Sequence, residues 1–195
     1  ISQLQGKDIR IGVQTGTIDD EFALAAFPNC KVEYMGSAGD LITALNVGRV
    51  DCLVFDRGGA LNLESYHEEV SHIPDAIGQS KFGIAFDKSD EGYDLMVQMN
   101  QLLRELKASG DLDIIKDAWI NDNTANQRTK YKQLPDTNGT INLAVDSSIA
   151  PYCFVRDNEL VGLDIDIVIR FCEKFGYALN IHDMAFDAIL PSLKS

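Results

Sequence analysis

Cations are scarce in this chain. Its 195 residues carry 17 Lys and Arg against 30 Asp and Glu, a formal net charge of −13. Nucleic acid and anionic membrane surfaces both reward clustered Lys and Arg, so the deficit excludes both as partners and leaves solubility as the plain reading of the charge. Long apolar runs are missing as well, and none approaches the ~20 residues that span a bilayer. No positively charged start followed by an apolar core marks a signal peptide. The chain opens in the middle of a pattern and closes on Leu193-Lys194-Ser195. It therefore reads as a piece of a longer protein, and the missing targeting signals carry little weight. Four cysteines (Cys30, Cys52, Cys153, Cys172) form no Cys-x-x-Cys pair and sit in apolar or strand-like contexts. They fit buried free thiols better than a disulfide framework. His67 and His72 have no Cys, Asp or His at ligand spacing, so neither a metal nor a cofactor is implied.

What is present is ordinary globular composition, 45% hydrophobic and 24% charged, organised as alternating strands and helices. Ile9, Ile11 and Val13 alternate in a first strand that runs into Gln14-Thr15-Gly16-Thr17. A helix is expected from Ile18 to about Phe27, with Thr17 as N-cap and Asp20 completing a capping box. A strand that ends in a Gly-Thr turn at a helix start is suited to anions, because free N–H groups and the positive end of the helix dipole converge there. Lys31–Met35 reads as the next strand, Ser37–Asp40 as the cap of a helix ending at Gly48, and Arg49–Asp56 as a buried parallel strand. This order predicts a parallel sheet with right-handed crossovers and places Asp56 at the sheet edge where ligands gather.

Gly58–Ser65 suits a short helix, residues 66–80 are polar and irregular, and Phe82–Phe86 alternates like a strand. A long amphipathic helix is expected over Tyr93–Ala108, stopped by Gly110, then a short one over Leu112–Trp119. Trp119 and Met99 read as core filler, and the three histidines are assigned to loops. Residues 122–139, rich in Asn, Thr and Lys, read as a linker. Four regions follow: 1–88, 89–121, the linker at 122–139, and 140–195.

The last region carries the densest pattern. Ile141, Leu143 and Val145 share one face of a strand that ends in Asp146. A Pro-aromatic loop (Pro151, Tyr152, Phe154) and a polar turn at Arg156–Glu159 follow. Gly162 and Asp164 lead into a helix with Leu163, Ile167, Phe171 and Phe175 on its apolar stripe, closed by Gly176. A second strand is expected over Leu179–Ile181 and a second helix from near Phe186.

In this order, the strand with its terminal Asp, the Pro-aromatic loop, the Gly-x-Asp-x-Asp helix start and the Phe-Asp-x-x-Leu-Pro segment resemble the N-terminal lobe of the bacterial extracellular solute-binding proteins that serve polar amino acids. Residues 6–121 resemble the same family's second half, from Gly6-Lys7 and Gly16-Thr17 through Gly48-Arg49-Val50-Asp51 to the closing helices around Lys107-Ala-Ser-Gly-Asp-Leu112. The chain thus looks like the back of one binding domain joined to the front of a tandem second one. The resemblance implies an α/β, periplasmic-binding-protein-like fold with parallel or mixed sheets flanked by helices in two lobes. Two arrangements stay open: tandem domains in a longer parent, and residues 140–195 folded back on the helices at 93–121. A linker of about 18 residues reaches ~24 Å as a flexible coil, enough for the second.

The resemblance also implies a ligand. Thr17 and the N–H groups after Gly16 would receive the carboxylate of an amino acid, Asp56 would pair with its ammonium, and Gln14 would read its side chain. On the other lobe Asp146 would order the loop or touch ligand, Tyr152 would line the cleft, and Phe186 would stack. Ile149 stands where the family commonly has an aromatic. The family's carboxylate-anchoring Arg has no counterpart here. The implied function is extracellular or periplasmic solute binding for ABC-type uptake through a membrane permease, with the module tethered to the membrane through its parent. The alternative is a tandem ligand-sensing domain ahead of a membrane receptor's kinase or cyclase signalling domain. A dehydratase-like enzyme on this scaffold is the third reading, and the chain offers it no Ser-His or Cys-His pairing and no paired catalytic carboxylates.

Overall fold

A computed structural model describes residues 1, 4–121 and 124–193. The remaining positions, two of them in the expected linker and two at the end of the chain, lie outside the described residues. The contacts divide the chain between Gly83 and Ile84 into two units, with Ala185–Asp187 grouping with the first.

The first unit is built on a parallel sheet. Strand β1 (Arg10–Gln14) is followed by helix α1 (Asp19–Ala26), strand β2 (Lys31–Met35), helix α2 (Ala38–Asn46), the two-residue strand β3 (Cys52–Leu53) and helix α3 (Arg57–Tyr66). The strand order is β2-β1-β3, all parallel. Both faces of β1 are covered, which is why it reads as a nearly continuous apolar run. Ile11 and Val13 pack with Ala23 and Phe27 on one side. On the other, Met35, Leu41, Ala44 and Val50 form a second cluster. Gly12 makes that close approach possible, since a Cβ there would lie 2.8 Å from Leu53 and 3.0 Å from Leu41.

Local signals explain most of the boundaries. Ser37 caps α2, accepting from the Asp40 amide at 3.2 Å. Three expectations are corrected. Thr17 does not cap α1: Ile18 holds that position, because the Thr17 hydroxyl donates instead to the Gln14 carbonyl at 2.9 Å. The strand expected over Arg49–Asp56 shrinks to Cys52–Leu53, an edge position that pairs, among the described residues, with β1 alone. Phe82–Phe86 forms no strand, and Phe82 and Ile84 stand exposed. The irregular stretch after α3 is tied back by His72, whose Nδ1 lies 2.5 Å from Glu64 Oε2.

The second unit begins with helix α4 (Asp90–Ser109) and helix α5 (Asp111–Ile120), separated by Gly110 in the left-handed conformation at φ 83°. A single 3-10 turn covers Thr124–Asn126. Strand β4 (Thr140–Val145), the hairpin of β5 (Phe154–Arg156) and β6 (Glu159–Val161), helix α6 (Leu163–Phe175), strand β7 (Ala178–Asp183) and helix α7 (Phe186–Ser192) follow, with Phe186 and Asp187 at the start of α7 grouping with the first unit. The hairpin turns on Asp157 and Asn158, both at positive φ, as a tight two-residue turn requires. Strands β4 and β7 pair in parallel, Ile141 opposite Leu179 and Val145 opposite Asp183. His182 therefore lies on a strand and not in a loop.

One core holds this unit together. Met99, Leu102 and Leu106 of α4 and Ile115 and Trp119 of α5 join Val145, Ile165, Ile169, Phe171 and Cys172 in it. Helices α4 and α5 thus fold onto the lobe that begins at β4. Helix α6 is buried more widely than its expected stripe, with Ile165, Ile169 and Cys172 fully enclosed beside Phe171. The segment expected as a free linker is anchored, with Tyr131 and Leu134 packed on that core and Lys132 paired with Glu159 at 2.6 Å. Its ties join residues far apart in sequence, which local composition does not register.

Candidate functional site

The first unit brings its candidate residues to the C-terminal ends of parallel strands. Gln14 closes β1 and is buried, its side-chain amide 3.4 Å from the Gly36 carbonyl. Gly16 follows in the left-handed region at φ 86°. A Cβ at Gly16 would lie 3.3 Å from the Asp187 Cβ and 3.6 Å from the Phe186 ring, so Phe186 sits against this turn. Thr17 is turned inward: its N–H and its hydroxyl both point to the Gln14 carbonyl, at 3.3 and 2.9 Å. Its oxygen in turn accepts from the Asp19 amide at 3.4 Å.

Asp56 lies beyond β3 as the N-cap of α3, with Oδ1 accepting from the Gly59 amide at 2.9 Å. That bond satisfies a helix-end donor and fixes the direction of the carboxylate. Asp19, which the sequence reading passed over, belongs to the same neighbourhood. Burial pushes its carboxyl up from 3.8 to about 6; the Thr17 hydroxyl works against that rise, and the charges of Asp56 and Asp20 add to it. An acid whose anion is disfavoured, beside a second carboxylate, makes this end of the sheet receptive to a cation. The available signal was the Ile18-Asp19-Asp20-Glu21 run, which looks like routine acidic enrichment of a first helical turn.

In the second unit, Asp146 ends β4 and accepts from the Ser148 amide at 2.9 Å. Next to it Asp183 ends β7 and holds Ser147 through both the amide, at 2.9 Å, and the hydroxyl, at 2.6 Å. Asp183 was also missed, although the strand-end logic applied to Asp146 fits it equally. Ile149 accepts from the Tyr152 and Cys153 amides, both at 2.9 Å, which closes a compact loop. Helix α6 holds this loop by its first two amides: Leu163 N–H donates to the Pro151 carbonyl and Asp164 N–H to the Tyr152 carbonyl, each at 3.0 Å. Gly162 is required here at φ 142°, since a Cβ would overlap the Tyr152 carbonyl oxygen. Cys153 beneath the loop is buried, and burial, with Asp164, Asp183 and Asp146 nearby, pushes its thiol up to about 12. Such a thiol stays protonated and unreactive.

Gln14, Gly16, Thr17, Asp56 and Phe186 thus gather in the first unit, and Asp146, Ile149 and Tyr152 in the second. All four cysteines are free. Among the described residues no group of three or more His, Cys, Asp or Glu is arranged to hold a metal. Among them, too, no helix is long and apolar enough to cross a membrane.

Residues 141–195 match the bacterial extracellular solute-binding proteins, family 3. The chain is 26% identical over 118 residues to the L-cystine-binding protein TcyJ of Escherichia coli K12, and equally to that of the O6:H1 strain. The match takes in 60% of this chain and 43% of the relative, so the chain spans less than half the length of these curated proteins. A crystal structure of the B. pertussis BvgS periplasmic domain aligns with 98% of this chain and 39% of its own, at 15% identity and a TM-score of 0.38. Together with the parallel-strand lobe that carries them, residues 141–195 support a solute-binding-like domain in this chain.

Proposed function

We propose that the chain is an extracellular or periplasmic binding module for a polar amino acid or a similar small zwitterion, serving ABC-type uptake. The observation that carries this reading is the coincidence of the family match at 141–195 with the Asp146–Tyr152 loop, pinned at the end of β4 by two α6 amides. The likeness to an L-cystine-binding protein supports an amino acid as the ligand class. In the first unit Asp56 receives the ammonium, with Asp19 as a second anion close by. The Gly16–Thr17 turn faces the rest of the ligand, and Phe186 packs on it. Hinge closure would follow from tighter binding to the closed form, since a ligand shifts such an equilibrium only by its differential affinity.

A thermal-shift screen of polar amino acids, L-cystine among them, tests this. A rise in melting temperature that grows with ligand concentration supports it. A flat response to every zwitterion up to millimolar concentration would refute it. The order of lobe-like halves, back half before front half, favours a second reading as parts of two tandem sensing domains of a membrane receptor. Loss of amino-acid uptake in cells lacking the protein would favour transport, and loss of a signalling output with uptake intact would favour sensing.

A further inference from the structure

The second unit contains a buried carboxylate that the candidate site does not use. Asp166, one turn into α6, has no exposed surface. Its Oδ2 accepts from the Trp119 indole N–H at 2.9 Å and from the Arg128 backbone N–H at 2.7 Å, and its Oδ1 from Arg170 Nε at 2.6 Å. Arg170 also reaches the Asn126 carbonyl at 3.1 Å. A second ring of contacts closes around Trp119. The Arg156 guanidinium lies 5.3 Å from the indole centre and donates to Gln127 Oε1 at 2.7 Å, and Gln127 donates to the Ala118 carbonyl at 2.7 Å. A buried charge is tolerated only while its lone pairs are filled, so these partners hold one another in a single arrangement.

The same stretch of helix holds the loop. Leu163 and Asp164 grip the Pro151 and Tyr152 carbonyls, and Asp166 follows within about 4.5 Å along the helix axis, at 1.5 Å per residue. Loop and carboxylate therefore share the first turn of α6. We propose that Asp166 is a positioning residue: by docking α5 and residues 126–128 on the start of α6, it keeps the 149–153 loop in the geometry that receives ligand. The proposed function enters only as the loop's purpose, and the mechanical link stands on the contacts themselves.

Hydrogen exchange on the chain in the absence of ligand tests the link. Trp119→Phe keeps an aromatic ring against Phe154, whose ring centre lies 6.1 Å away, and removes one donor to Asp166. Asp166→Asn keeps an acceptor and removes the charge facing Arg170. The expected result in both is a loss of protection on the order of tenfold at Arg128 and, together with it, at Tyr152, Cys153, Leu163 and Asp164, with Leu143 and His182 in the sheet unchanged. Unchanged exchange in the loop, whether or not Arg128 slackens, overturns the proposal, as does a uniform loss that includes the sheet. If Asp166→Asn does not fold, Trp119→Phe decides alone. Because no ligand enters the readout, a failure here is distinct from a failure of the ligand reading.

Discussion

Replacing Asp19 by Asn should make the first unit more stable at neutral pH. The Asp19 carboxyl is pushed from 3.8 to about 6, first by burial and then by Asp56 and Asp20. Between those two values the folded state holds a proton that the unfolded chain has lost. Stability therefore falls as pH rises from about 4 to about 6 and stays at the lower level above that. The displacement corresponds to about 3 kcal/mol at face value. The residue is only partly buried, so solvent screening reduces the figure to roughly 1–1.5 kcal/mol. Hydrogen exchange at Ile11 and Val13 in β1 reads the opening of this unit alone, and comparison at equal pH cancels the intrinsic rates. At pH 7.5 the variant should be protected about five- to tenfold more than the parent chain, since 1.4 kcal/mol is tenfold. The gap should shrink as pH falls towards about 4 and close below about pH 3, where Asp19 is protonated in both states. Equal protection at the two pH values, or a variant less protected at pH 7.5, would refute the claim that this carboxylate is held against its preference.

Two further outcomes concern the second unit, where Trp119, the only tryptophan, reports unfolding by its fluorescence. Phe171→Ala should lower stability by about 3–5 kcal/mol in urea titrations, because the ring is fully buried between Phe175 and Tyr177, with centres 5.0 and 5.7 Å away; a loss under 1 kcal/mol would mean that the site collapses freely. Gly162→Ala should cost more than ~2 kcal/mol by the same titration, since it combines a positive φ with a clash on the Tyr152 carbonyl. A neutral result would show that the loop is not pinned there.

How much was legible depended on whether the deciding interactions were local. Strand β2 at Lys31–Met35, the Ser37 cap and the Gly110 break between α4 and α5 follow from patterns spanning a few residues, and the structure places them there. The tight turn at Asp157-Asn158 falls inside the polar turn expected over Arg156–Glu159, although the strands on either side of it were not anticipated. Phe82–Phe86 alternates as a strand does, yet alternation specifies only a face, and pairing needs a neighbour, which is lacking for it among the described residues. Thr17 has the right chemistry for a cap, but the Gln14 carbonyl three residues earlier competes successfully for its hydroxyl. Trp119 and Asp166, 47 residues apart, meet only once the core has formed. No periodicity announces such a pair, so in sequence Trp119 reads as core filler and Asp166 as part of a helix start. For the candidate site, strand-end position pointed to Asp56 and Asp146, whereas the raised Asp19 carboxyl depends on three-dimensional burial.

Isothermal titration of the best-responding amino acid, compared between the parent chain and Asp56→Asn, bears most directly on ligand recognition. Asn retains the capping bond that Asp56 makes to the Gly59 amide, so α3 keeps its start while the negative charge is lost. The expected result is a ten- to hundredfold weaker affinity, roughly the 1.5–3 kcal/mol of a charge-assisted hydrogen bond. Equal affinity in the two proteins would contradict the assignment of Asp56 as the ammonium partner.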